Sequence, residues 1–440
     1  MRQFKTLSLG AFVALISIGL FSSCVKEEKQ PPTEGKTIAE IVGSDANFST
    51  LKKAVDKAGL GAALSSGTLT VFAPDNDAFA ASGITEATLN SLSAQQVAAI
   101  LQYHVLGAKY VSSSIPSSGT LSTLSGINIY PTKSSEGVFI NTIKVKKADV
   151  IATNGVIHII SKVLMPATIK DLVVLDPNFS ILKAAVVKAG LADALSQGSL
   201  TVFAPDNAAF AASNISEATI NSLPVEALTG ILLYHVVGAA VPSSAVPASD
   251  TVNSLLETNI YASKNSNGVF VNGISVKAAD VKAANGVIHV ISKVLIPPTK
   301  SIAELVVGDA DLTLLLAAVV RAGLVDAVSA AGKYTVFAPT NKAFENAGLT
   351  TADAINALPA EAVAAIVKAH IFGTNVFSSD LTAGATVPTL EAGKSLVVGL
   401  TPPSVQIVGS ANPVSNIILS AVNITATNGV VHKIDRVLLP

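Results

Sequence analysis

The chain has six histidines, and they fall into two recurring slots. His104, His235 and His370 share one, and His158, His289 and His432 share the other. Imidazole titrates near neutral pH and ligates metals, so a recurring pair is the first place to look for acid–base or metal chemistry. A metal centre needs three or four ligands at close range. No carboxylate travels with the pair in every copy, since Asp149 and Asp280 give way to Asn423. The expectation is therefore no metal and no cofactor, with imidazoles that hydrogen-bond the backbone. Tyr103 and Tyr234 directly precede His104 and His235, whereas Ala369 precedes His370. The apolar neighbours Ile100, Leu101 and Val105 favour the core.

Other catalytic signatures are missing. The sequence has no Gly-x-Ser-x-Gly elbow, no phosphate loop and no His-Glu-x-x-His. Asp309 and Asp311 lack the downstream Glu of a calcium loop and read as helix-start residues. A protein that is not an enzyme is expected. Of 440 residues 50% are hydrophobic and 13% charged, which excludes intrinsic disorder. With 29 bases against 30 acids there is no basic surface for nucleic acid. A single Cys excludes a disulfide framework and a Cys-based zinc site. With no Trp, and only Tyr110, Tyr334 and Phe377 outside recurrent aromatic slots, a strong dedicated glycan site is disfavoured. A shallow polar one stays open.

A mean hydropathy of +0.55 raises the question of a membrane. Arg2 and Lys5 precede an uncharged stretch over residues 7–21, followed by Leu20-Phe21-Ser22-Ser23-Cys24. This is the pattern of a secretory signal, too short to span a bilayer as a helix. It resembles a bacterial lipoprotein signal, which implies cleavage after residue 23 and lipidation of Cys24. The charged, Pro-containing run up to residue 36 reads as a tether, and its Lys26-Glu27-Glu28 resembles an outer-membrane surface signal. The longest charge-free stretch, 395–432, is interrupted by Pro402, Pro403 and Pro413 and reads as strands and loops.

The elements that carry the histidines come in three copies. Thr70-Val71-Phe72-Ala73-Pro74-Asp75-Asn76 recurs from Thr201 and, with Thr340 in place of Asp, from Thr335. Asn154-Gly155-Val156-Ile157-His158 recurs from Asn285 and, as Asn-Gly-Val-Val-His, from Asn428. Each copy closes on Val-Leu-x-Pro, at Pro166, Pro297 and Pro440. Copies about 130 residues apart are domain-sized, far longer than the roughly 20–50 residues of a solenoid unit. The third carries extra residues around 402–416. Short Pro-containing joints predict an extended rod of three domains with restricted hinging.

Within one copy, Phe48, Leu51, Val55 and Ala58 mark a helical face that ends at Lys57-Ala58-Gly59-Leu60, a left-handed glycine stop. Residues 69–72 read as a buried strand. Asn76, Asn207 and Asn341 read as N-caps, residues 86–103 as a second helix, and Asn154-Gly155 as a type I′ hairpin. Helices early and strands late give an α+β class.

The Thr-Val-Phe-Ala-Pro block, the central Tyr-His and the terminal Asn-Gly-Val-Ile-His together resemble the fasciclin domain family. The resemblance implies three tandem domains at 37–166, 167–298 and 299–440, each a two-sheet β wedge with helices packed at one side. It further implies an extracellular module associated with adhesion or matrix contacts. The family's proposed cell-contact motif maps to Tyr103, His104, Tyr234 and His235; in the third repeat Ala369 precedes His370 and the match fails, although His370 stays among the candidate contacts. The expected role is a lipid-anchored envelope lipoprotein in the outer membrane, on its periplasmic or its outer face. Its partner would be an extracellular protein or polysaccharide held by weak, repeated contacts. Alternatives are a structural or stress-related envelope spacer, and a glycan-uptake accessory or enzyme.

Overall fold

The computed structural model describes residues 35–400, 403–407 and 414–439. The signal, Cys24 and the start of the tether lie outside the described residues, as does part of the third repeat's insertion. Among the described residues no helix is long and apolar enough to cross a membrane.

Each repeat opens with a helix fixed by a reciprocal cap. Thr37 and Glu40, Thr168 and Asp171, and Ser301 and Glu304 each satisfy two backbone donors. In the first repeat a short turn, Ala46–Phe48, leads into the helix Ser49–Ala58. That helix stops as the sequence predicts: Gly59 is left-handed and the Leu60 N–H donates back to the Val55 carbonyl at 3.1 Å. The base before the stop serves a neighbour. The Lys57 ammonium donates to the carbonyls of Leu89 and Asn90, at the end of the helix Glu86–Ser91. Lys188 does the same in its repeat, and Arg321 donates twice to the Leu358 carbonyl just past the matching helix.

Three local expectations are corrected. The N-caps are Asp75, Asp206 and Thr340, one residue earlier than expected. Asn76 instead joins two helices, accepting from the Thr50 N–H at 3.0 Å and donating to the Ala46 carbonyl. The helix expected over 86–103 is two helices, Glu86–Ser91 and Ala94–Tyr103. Ser93 caps the second, and Pro224 and Pro359 hold the same place in the other repeats. Finally, the hairpin turns on Thr153 and Asn154, neither with positive φ, so the turn is not type I′. Asn154 accepts from the Ile38 N–H and donates to the Leu64 carbonyl, tying the turn to both ends of the helical layer.

The strand Leu69–Pro74 is buried along its whole length. It pairs in parallel with Gly155–Ile160 and antiparallel with Val105–Leu106. The long strand Ile143–Ala152 bulges between Val145 and Val150, pairing with Gly155–Ile160 along its length and with Gly137–Ile140 at its start. A bulge sharpens local twist, so one strand serves both leaves of the wedge. The second repeat follows the same plan, whereas the third divides into two four-stranded sheets. Strand alternation then gives each domain two cores. Val71 faces the helices with Leu51, Phe79 and Leu101, while Phe72 faces the strands with Tyr103, Leu106, Ile129 and Ile140.

Both joints use one slot. Tyr130 of the first repeat lies in the same buried cluster as Ile169, Leu172 and Phe179 of the second. The equivalent Tyr261 stacks on Phe377 of the third repeat, with ring centroids 4.9 Å apart.

Candidate functional site

The Tyr-His element sits where the helix Ala94–Tyr103 meets the strand Val105–Leu106. Tyr103 and Tyr234 are 0% and 1% exposed, and His104, His235 and His370 are each 2% exposed. Side chains this enclosed offer a partner no surface. The contact-surface reading of Tyr103, His104, Tyr234, His235 and His370 is therefore corrected to a structural one. Burial pushes the Tyr103 phenol up to about 12, partly offset by its bond from Asn141. Its hydroxyl donates to the Asn128 carbonyl at 3.1 Å and accepts from the Asn141 amide at 2.6 Å. Asn141 in turn accepts from the Tyr130 N–H, so the tyrosine holds the strand that carries the joint residue. Tyr234, Asn272 and Tyr261 repeat this chain of contacts. In the third repeat Ala369 shares its cluster with Phe372, which meets Phe337 edge-on at 5.2 Å.

The two histidine slots hold opposite neutral tautomers. His104 Nε2 accepts from the Leu164 N–H at 2.9 Å, so Nδ1 carries the proton and donates to the Ile100 carbonyl. His158 Nδ1 accepts from the Asp149 N–H at 3.3 Å, so Nε2 donates to the Tyr110 carbonyl. Both patterns recur in every repeat. A second proton would set N–H against N–H in a buried site. Burial accordingly lowers His104, His235, His370 and His432 to about 4. These imidazoles work as fixed neutral hydrogen-bonding posts. Among the described residues no three or more of His, Cys, Asp and Glu come together to hold a metal.

A role in structure makes a checkable prediction. Tyr103→Phe strips the Asn141 amide and the Asn128 carbonyl of a partner and should cost about 1–3 kcal/mol of first-domain stability. Urea unfolding measures it, and partner binding by the folded variant should be unchanged. A fully stable variant that lost binding would restore the contact reading.

The surface carries a different repeated feature. Leu124, Leu255 and Leu390 each lie the same distance in sequence after the first-slot histidine. They are 52%, 45% and 44% exposed, unusual for leucine at three matching positions. Each N–H donates to the carbonyl of the residue just after that histidine, at 2.8, 2.7 and 2.8 Å. Each leucine also borders an apolar depression between the helices and the sheet. The even spacing was visible in the sequence, but exposure was not, because Leu reads as core by default.

Fold and site together define a tandem array of one α+β module with a buried, backbone-bonded histidine interior and a repeated apolar rim. The fasciclin domain family model matches residues 46–166, 177–297 and 310–440, so the chain belongs to the fasciclin domain family. It is 29% identical over 422 residues to transforming growth factor-beta-induced protein ig-h3 of Sus scrofa, covering 94% of this chain and 59% of that protein. It is 26% identical over 416 residues to periostin of Homo sapiens, covering 92% and 48%. The immunogenic protein MPB70 of Mycobacterium bovis is 35% identical over 132 residues, covering 28% of this chain and 65% of that protein. The chain spans about half the length of the first two of these relatives. A domain pair from the insect cell adhesion molecule fasciclin I aligns with a TM-score of 0.30 at 21% identity, covering 59% of this chain and 96% of that one.

Proposed function

We propose that this chain is a binding protein of the cell envelope, exported and anchored through lipid on Cys24, whose three fasciclin domains act together in adhesion. Each contact is weak, and repetition along one chain supplies avidity. The observation that carries this reading is the threefold recurrence of an exposed leucine, Leu124, Leu255 and Leu390, on the same backbone anchor beside an apolar depression. An extracellular protein offering apolar side chains, or the apolar face of a polysaccharide, is the partner this rim suits. The fixed neutral interior supports binding rather than catalysis.

Replacing all three leucines by Ser should leave the melting temperature within a few degrees of the parent, since half-exposed side chains contribute little to the core. Retention on matrix-protein and polysaccharide arrays should fall at least tenfold, and each single variant should fall far less. Arrays that hold the triple variant as well as the parent would refute the rim. Protease treatment of intact cells tests the placement: cleavage of the domains from outside is expected for an outer-face anchor.

A further inference from the structure

The joint between the second and third repeats holds a partly open cavity of about 310 Å³. Its walls are held in register across the joint. Ser263 Oγ donates to Asp380 Oδ1 at 2.6 Å, and the Asn265 amide donates to the Ser379 carbonyl at 2.7 Å. Tyr261 stacked on Phe377 forms the apolar side. Thr251, Glu257 and Thr258 line it from the second repeat, and Lys333, Asn375 and Thr425 from the third.

One atom in this wall is anomalous. Asn375 Oδ1 is buried without a hydrogen-bond partner, the one such side-chain atom among the described residues. A buried acceptor left bare is unfavourable, so it calls for a donor from the cavity. The position is particular to this joint. The threonine bonds from Thr70, Thr201 and Thr335 set the three repeats in register. Where the third repeat has Asn375 and Phe377, the first has Lys109 and Val111 and the second Ala240 and Pro242.

We propose that this cavity is a binding site for a neutral saccharide of one or two rings. Its volume lies at the lower end of ligand-pocket sizes. The occupant must donate to Asn375, which sugar hydroxyls do. Glu257 balances Lys333, and Lys333 already faces Asp250 at 3.6 Å, so no surplus charge favours an anion. Carboxylate, ammonium, amide and hydroxyl groups beside an aromatic wall are a polyol-binding set. None of the three rim leucines lines the cavity, so this site stands apart from the adhesion reading.

Calorimetric titration of the full chain with glucose, galactose, mannose, N-acetylglucosamine and their disaccharides tests it. At least one sugar should bind saturably at one site per chain. Asn375→Ala and Thr258→Val should each weaken it tenfold or more, while Lys109→Ala leaves it unchanged. If Asn375→Ala also lowers the melting temperature, Thr258→Val decides. Saturable binding by none of these sugars, or binding indifferent to both cavity variants, overturns the proposal.

Discussion

Between pH 6.5 and 4 the third domain is expected to lose about 6 kcal/mol of stability, on the scale of a whole domain's margin. His370 and His432 are held neutral and fall to about 4 through burial, against an unfolded value near 6.5. As pH drops, the unfolded chain takes up protons first. Their stabilisation is therefore complete above pH 6.5 and is lost progressively down to about 4, at about 3 kcal/mol per group. Asp149 and Asp280 act in a lower window. Burial pushes these carboxyls up, but the serine hydroxyl and N–H beside each more than offset it, leaving them below the usual range. Their contribution is present above pH 3.8 and is lost only as pH falls further. His158 shows how the second slot can be tuned: burial lowers it, while the Tyr110 carbonyl and the Asp149 carboxylate raise it. Asn423 fills the aspartate's place in the third repeat at φ 58, a backbone that Asp149 and Asp280 adopt at 61 and 60. Asn423→Asp should raise His432 and recover part of that loss near pH 5. Hydrogen exchange resolved by domain, at matched intrinsic rates, reads both effects. Protection in the third domain that stays flat from pH 6.5 to 4.5 would contradict the neutral-histidine account.

The other large effect belongs to Gly155. A Cβ there would lie 1.9 Å from the Leu69 carbonyl oxygen, and φ is 152. Gly286 meets Leu200 in the same way, and Gly429 meets Tyr334 at 2.0 Å. The clash is with backbone in the parallel pair at the centre of each domain, where no side chain can swing aside. Gly155→Ala should cost roughly 3–5 kcal/mol, in the tail of single-substitution effects. Gly61→Ala meets open space in a short helix and should fall within about 0.5 kcal/mol of the parent. Urea midpoints of the two variants check the contrast. An equal, small effect for both would mean that the strands are not this close.

These two sites also show what the sequence made legible. The repeats, the helix stop at Gly59, the buried strand and the α+β class could all be read, because each has a local physical signature. The Asn-Gly pair was recognised as a turn, but its real cause is long-range. The glycine is needed by a strand some 80 residues earlier, an approach that no local pattern reports. Asn76 reads as a cap for a related reason: it bonds across helices, while Asp75 beside it does the capping. The histidines were correctly weighed as backbone-bonded, but their opposite tautomers depend on partners such as Leu164, 60 residues away in sequence. The Tyr-His pair named as a candidate contact lies inside, and the rim leucines that face outward carry no polar signal. Phe377, noted as a spare aromatic, proves to be the joint partner of Tyr261.

We infer that three equivalent weak contacts along one chain make one effective binder. It is tested by array binding of the full chain with one, two and three of Leu124, Leu255 and Leu390 replaced by Ser. The expected loss steepens with each replacement, tenfold or more by the third, at an unchanged melting temperature. Binding by the triple variant equal to that of the parent would contradict it.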